Sequence, residues 1–281
     1  MPMLLLIRYE LLKTYRKLRT YIGFGLIVVL IPLVYWGLSV AGEDMIDGMT
    51  RGLQQNFLFV GSLFNGWFVS NMVMNTLFVH VPFLILLVAG DMFAGEATSG
   101  TYRMLLTRPP SRGRIFSVKM ASTALYTYSL VLFLAFCSVV PGLIVFGGGE
   151  MLMFGEGGLA IIPESEVWWR FLLSYGLAGY AMCIVAALGM LFSTFVENAI
   201  GPIVGSFAVI ILFFILGNLP FDFFEALRPW LFTTYTDVWR RAFDDPLDWG
   251  AVASDMGILA LFWSLFTFAA WLIFRKKDVL S

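Results

Sequence analysis

Charge is scarce in this sequence: 13% of its 281 residues are Asp, Glu, Lys or Arg, against 59% that are hydrophobic. A soluble domain carries about 25% charged residues, so this chain has too little polar surface to coat itself in water and requires lipid around it. Histidine is scarcer still. The single His80 excludes the helical two-histidine zinc motif. Two cysteines, Cys137 and Cys183, each lie inside an apolar stretch without motif spacing, and they form neither a disulfide framework nor a metal site. No glycine is followed by lysine, so a phosphate-binding loop is missing at its key residue. Paired aspartates inside apolar runs and a Gly-x-Ser-Gly setting are also missing, which leaves membrane proteolysis and metal hydrolysis without a catalytic set. The net charge of -1 points to no nucleic-acid partner.

What the chain has is apolar length. A helix needs about 20 mostly apolar residues to cross a hydrocarbon core, and six such runs lie near residues 21–41, 70–90, 117–146, 167–192, 199–219 and 250–274. Pro32, Pro82, Pro141 and Pro202 sit inside four of them, which a membrane bundle accommodates by local rearrangement. The apolar stretch Phe57 to Val69 makes the second run either a long tilted helix or one that begins as an interfacial segment. The first run exceeds a signal-peptide core and reads as a retained anchor. No internal repeat supports an inverted-repeat carrier. The expected fold is an all-α integral membrane protein, a single domain over 1–281 with about six transmembrane helices.

Basic residues give that bundle an orientation. Thirteen of the 18 Lys and Arg fall before run one, between run two and the first turn of run three, or after run six, whereas 14 of the 19 Asp and Glu fall on the other side. By the positive-inside rule both termini and the loop near 91–119 are cytoplasmic, as expected of a multi-pass protein of the cell (inner) membrane. Trp36, Trp168, Trp169 and Trp249 then fall at the outer ends of spans, where an aromatic belt belongs. Before run one, Leu4, Ile7, Leu11, Tyr15 and Leu18 recur at helical spacing with Arg8, Lys13, Arg16, Lys17 and Arg19 on the flanking arc. Residues 1–20 read as an amphipathic helix on the cytoplasmic leaflet, basic face toward the headgroups, or as a plain positive-inside anchor.

The long charged loop between runs two and three, residues 91–116, carries the most specific pattern. A short helix is expected from Thr98 or Ser99 to Thr107, with hydroxyl residues capping its start and Pro109 and Pro110 stopping it. Tyr102, Leu105 and Leu106 give it an apolar face in water, which calls for a protein partner. The residues Glu96, Gly100, Thr101, Leu105, Leu106, Pro109, Ser111, Arg112 and Lys119 resemble the loop of the ABC type-2 permeases. These are exporter subunits with a glutamate, Gly-Thr, an apolar pair, a proline, Ser-Arg and a lysine at the mouth of the third helix. Tyr102 and Arg103 stand where the family often has an aliphatic and an acidic residue, and the double proline is unusual. The resemblance implies a coupling helix, with Arg103 and Arg108 beside the leucines, seated in a groove of a separate cytoplasmic ATPase subunit. It also implies a second permease copy, with ATP and Mg on the partner ATPase and no cofactor or catalytic residue on this chain. An ion-coupled secondary carrier, or a polytopic protein without transport activity, is the alternative.

Two further features bear on function. Asn71 and Asn75, one helical turn apart, line a substrate path, form a seam between two copies, or pack within one chain. His80 points about 140° from Asn75 if the helix is continuous. Residues 220–249 mix aromatics with charges and are expected in the outer interface as one or two short helices, either an outer gate or an anchored surface loop. The Gly147–Gly149 and Gly155–Gly158 region, without a basic residue, reads as a flexible loop.

Overall fold

The computed structural model describes residues 2–50, 64–100, 111–155 and 158–277. Among these residues, six helical stretches are long and apolar enough to cross a membrane. They are Leu18–Val40 within α2 (Leu18–Thr50), Val81–Thr98 made of α4 (Val81–Ala89) and α5 (Asp91–Thr98), α6 (Arg112–Phe146), α7 (Glu164–Phe195), α8 (Ile200–Asn218) and α10 (Trp249–Lys276). Shorter elements complete the described chain: α1 (Met3–Tyr15), α3 (Gly66–Phe78), a hairpin of β1 (Met151–Gly155) and β2 (Gly158–Ile162), and α9 (Asp222–Glu225). Two 3-10 segments follow α9, Arg228–Trp230 and Phe232–Phe243. The architecture is that of a polytopic membrane protein, helical in its described residues apart from the hairpin.

Helix α7 is the hub. Its most apolar stretch is 72% buried, against 11% for α8, 17% for α10, 22% for α2 and 28% for α6, so α7 is enclosed while those four present apolar faces outward. Small residues let the neighbours close on it: Ala178, Ala181, Ala186 and Ala187 are all buried, against α4, α6 and α10. The α3–α6 crossing is tighter. A Cβ on Gly66 would stand 2.5 Å from the Gly142 carbonyl oxygen, and one on Gly142 would stand 2.7 Å from Ser70 Oγ. Only glycine at both positions permits that approach.

The second span departs from the sequence expectation. Pro82 has no N–H to donate and its ring clashes with a carbonyl one turn earlier, so α3 ends at Phe78 and Pro82 falls in the first turn of a new helix, α4. The membrane-length stretch is therefore Val81–Thr98 in place of 70–90. Asp91 and Glu96, expected in the loop, lie in α5 and are 3% and 2% exposed. The break at Val79 and His80 also removes the continuous helix on which the expected His80 orientation depends. The short helix expected from Thr98 or Ser99 to Thr107 lies almost wholly outside the described residues, and Thr101, Tyr102, Arg103, Leu105, Leu106, Arg108 and Pro109 with it.

Two more segments are firmer than their composition suggests. In place of a flexible loop after α6, the apolar strings Met-Leu-Met-Phe and Leu-Ala-Ile-Ile pair antiparallel, with Met151 opposite Ile162 and both fully buried. Apolar runs of four residues are too short to separate a strand from a loop by pattern. Asn65 fixes this end of the bundle: its side chain accepts from the Trp67 and Phe68 amides at 3.1 Å and donates to the Glu150 carbonyl at 2.6 Å. Between α8 and α10, the Phe232–Phe243 segment buries Phe232, Trp239 and Phe243 inside the bundle, while Phe221, Phe223 and Trp230 remain exposed.

Candidate functional site

Charges gather at the end of the bundle where α1, α5 and α6 meet. Lys119 of α6 is 1% exposed, a position that strands an ammonium unless every proton finds an acceptor. Three acceptors surround it: Glu10 Oε1 of α1 at 2.8 Å, Glu96 Oε1 of α5 at 2.6 Å and the Met92 carbonyl at 2.8 Å. The ammonium's donor capacity is thus used in full. Phe93 lies beneath it, 5.5 Å from ring centroid to Nζ. Lys13 of α1 makes a second ion pair to Glu96.

One turn earlier in α5, Asp91 takes two more cations. Lys17 Nζ and Arg19 Nη1, at the α1–α2 junction, each lie 2.5 Å from one of its oxygens. Glu10, Lys13 and Lys17 recur at spacings of three and four, so one face of α1 and its continuation turns toward α5 and α6. The sequence expectation aims that basic arc at headgroups; the bundle claims Lys13, Lys17 and Arg19 instead, because buried Asp91 and Glu96 need counter-charges. Tyr15 follows inward, with its ring 6.2 Å from that of Tyr126. Met3, Leu4, Tyr9 and Leu12 are the exposed apolar residues of α1.

Both stems of the 101–110 segment are tied into this knot. Ser193 Oγ of α7 accepts from the Phe93 and Ala94 amides at 3.0 and 2.9 Å, and Thr98 Oγ1 donates to the Glu197 carbonyl at 2.7 Å, so α5 is held near both ends. Gly100 ends that stem at φ +67°, a left-handed conformation that suits glycine. On the far stem, Arg112 donates to the Arg275 and Lys277 carbonyls at 2.8 and 3.0 Å, joining α6 to the end of α10.

Of the residues singled out in the sequence, Glu96 and Lys119 come together, Gly100 and Arg112 flank them, and Thr101 to Pro109 fall outside the described residues. Asn71 and Asn75 lie elsewhere, on α3: Asn75 Nδ2 donates to the Asn71 carbonyl at 3.0 Å and to Asn71 Oδ1 at 2.9 Å, with Asn71 buried. Sequence reasoning misses Glu10, Lys13, Lys17, Arg19 and Asp91 as members of the site. Their signal is the Glu10–Lys13–Lys17 spacing opposite two acids five residues apart. Among the described residues no group of three His, Cys, Asp or Glu side chains is placed to hold a metal ion. The knot fixes three helices mechanically.

The family model described as "Protein of unknown function (DUF2705)" matches residues 26–280. An uncharacterized protein of Bacillus subtilis (strain 168), YhcI, is 26% identical over 204 residues. The match covers 69% of this chain and 63% of that curated relative, so the chain spans less than two thirds of its length.

Proposed function

We propose that this chain, which belongs to the DUF2705 family of proteins of unknown function, is the membrane-spanning permease subunit of an ABC-type exporter. In this reading the basic end faces the cytoplasm of the cell (inner) membrane. A separate ATPase subunit carrying ATP and Mg docks there, and a second permease copy completes the translocation path. The observation that carries the reading is the Glu96–Lys119 pair with Lys13 and Glu10 around it. A force applied to the 101–110 segment is delivered at once to α5, α6 and α1, because the helix before the segment and the helix after it share one buried ion cluster. A loop with free stems would absorb that force. The loop motif of Gly100, Thr101, Leu105, Leu106 and Pro109 supports the same reading from sequence.

The test is copurification of an ABC-type ATPase subunit with this chain. Leu105 and Leu106 insert into its groove, and burying two leucines is worth at most about 3 to 6 kcal/mol. Replacing both with aspartate therefore weakens docking by roughly 100-fold or more, with membrane insertion unchanged. Arg103, Arg108 and Arg112 contribute a smaller, salt-sensitive part. Normal copurification and normal stimulation of ATP hydrolysis in the double variant would remove the coupling role. Transport driven by an ion gradient without any ATPase would favour the carrier alternative.

A further inference from the structure

A crevice of about 340 Å³ runs between α6, α7 and α10 at the basic end, lined among others by Ser117, Ala121, Ala124, Cys183, Ala187 and Trp263. Two of its lining residues, Ser117 and Trp263, are exposed. Its α6 residues, Phe116 to Ala124, lie about 6 to 18 Å along that helix from Arg112 at 1.5 Å per residue. Its α7 residues, Cys183 to Met190, lie at about 8 to 18 Å from Phe195. A single leaflet's hydrocarbon is about 15 Å deep, so the crevice has the depth of one acyl layer. At about 30 Å³ per methylene, similar to the share of a liquid water, its volume takes about eleven methylenes, most of one chain.

The rim is cationic. Arg114 lies one turn toward the helix end from Ser117, on the face that continues to Ala121 and Ala124, and Arg275 lies about two turns beyond Thr267 on α10. Segments 111–117, 190–197 and 271–277 bring together Arg112, Arg114, Arg275, Lys276 and Lys277 against one acid, Glu197, so the balance there is cationic. Arg112 donates to carbonyls of Arg275 and Lys277, and Lys277 to that of Thr194, which brings the three helix ends together. Arg114, Arg275 and Lys276 are exposed.

We propose that this crevice is a binding site for one acyl chain of an anionic phospholipid, whose phosphate lies between Arg114 and Arg275. The wall supplies apolar area and small side chains, and the rim supplies charge of the sign a phosphatidylglycerol headgroup needs. The site is independent of the exporter reading and of which side of the membrane the basic end faces.

Cys183 is a native reporter in the wall, and Cys137, outside it, is an internal control; both thiols are free. The unmodified chain in detergent micelles is titrated with palmitoyl-oleoyl phosphatidylglycerol or phosphatidylcholine, and labelling of each cysteine-containing peptide by a photoactivated diazirine, which inserts without needing a thiolate, is followed by mass spectrometry. Phosphatidylglycerol is expected to protect Cys183 at a concentration about thirtyfold below that of phosphatidylcholine, roughly 2 kcal/mol at 1.4 kcal/mol per decade for two arginines at a membrane surface. Cys137 should respond equally to both lipids. Arg114→Gln with Arg275→Gln should remove the difference. Equal protection of Cys183 by the two lipids, or none by either, overturns the proposal using the native chain alone. A phosphatidylglycerol preference that persists in the double arginine variant overturns the placing of the phosphate.

Discussion

Lys119 and Glu96 meet at 2.6 Å across 23 residues of chain, with 1% and 3% of their side chains exposed. A pair this buried has lost its hydration on both sides and relies on its counter-charges, so removing one partner leaves the other short of compensation that water cannot supply.

Lys119→Met is therefore expected to cost about 3 to 5 kcal/mol, because Glu10 and Glu96 both lose their shared cation. Glu96→Gln should cost less, since its amide oxygen still accepts from Lys119. Thermal unfolding in detergent reads the order. A Lys119→Met protein as stable as the parent would show that the ammonium does not hold α1, α5 and α6 together.

The α3–α6 crossing gives a second expectation. Gly142→Ala and Gly66→Ala each put a Cβ closer than 3 Å to a fixed neighbour, in the Gly66 case backbone, and should destabilise by about 1 to 3 kcal/mol. Gly176→Ala, where nothing lies within 4 Å of the new atom, should instead gain about 0.5 to 1 kcal/mol from helix propensity. Equal effects at Gly66 and Gly176 in thermal unfolding would refute the close crossing.

Six membrane-length helices were legible because a run of about 20 apolar residues has few other solutions. The Glu96 and Lys119 positions were also legible, through the loop motif. What sequence did not reveal was where the second span stops. Pro82 ends one helix and restarts another, and Asp91 and Glu96 look like loop residues until Lys13, Lys17, Arg19 and Lys119 are brought to them by the fold. The Glu10–Lys13–Lys17 spacing marks a charged face on α1 and its continuation, but periodicity within one segment does not say which other segment carries the counter-charge.

The placing of the basic residues predicts an orientation, with the basic end cytoplasmic. A cysteine at Ser111, exposed at the start of α6, should resist an impermeant thiol reagent in intact cells, and one at Glu150, exposed before the hairpin, should be labelled. Labelling of the Ser111 position alone would reverse the bundle in the membrane.

The Asn71–Asn75 pair makes an asymmetric expectation. Asn75→Leu alone strips buried Asn71 of a partner and should cost about 1 to 3 kcal/mol, whereas replacing both amides with leucine should be nearly neutral. If the pair lines a substrate path or a seam between copies, the double variant keeps its stability and loses transport or cross-linked dimer. Unchanged behaviour in both assays assigns the amides to packing within one chain.

A charge exchange tests whether the knot is a simple pair or a three-way cluster. In an isolated pair, Glu96→Lys with Lys119→Glu would restore the attraction lost in either single variant. Here the new carboxylate at 119 would face Glu10 and the Met92 carbonyl, both of which now accept from Lys119 at 2.8 Å, and the new lysine at 96 would face Lys13. Like charges at such distances repel in a low-dielectric setting, so the exchanged protein should be no more stable than Lys119→Met. Adding Glu10→Lys and Lys13→Glu removes both like-charge contacts and should recover part of the loss, with the Met92 carbonyl still opposed to a carboxylate. Thermal unfolding of the three proteins in one detergent gives the order. Full recovery by the two-residue exchange would mean that Glu10 and Lys13 lie outside the cluster, and that α1 is not bound to the stems of the 101–110 segment.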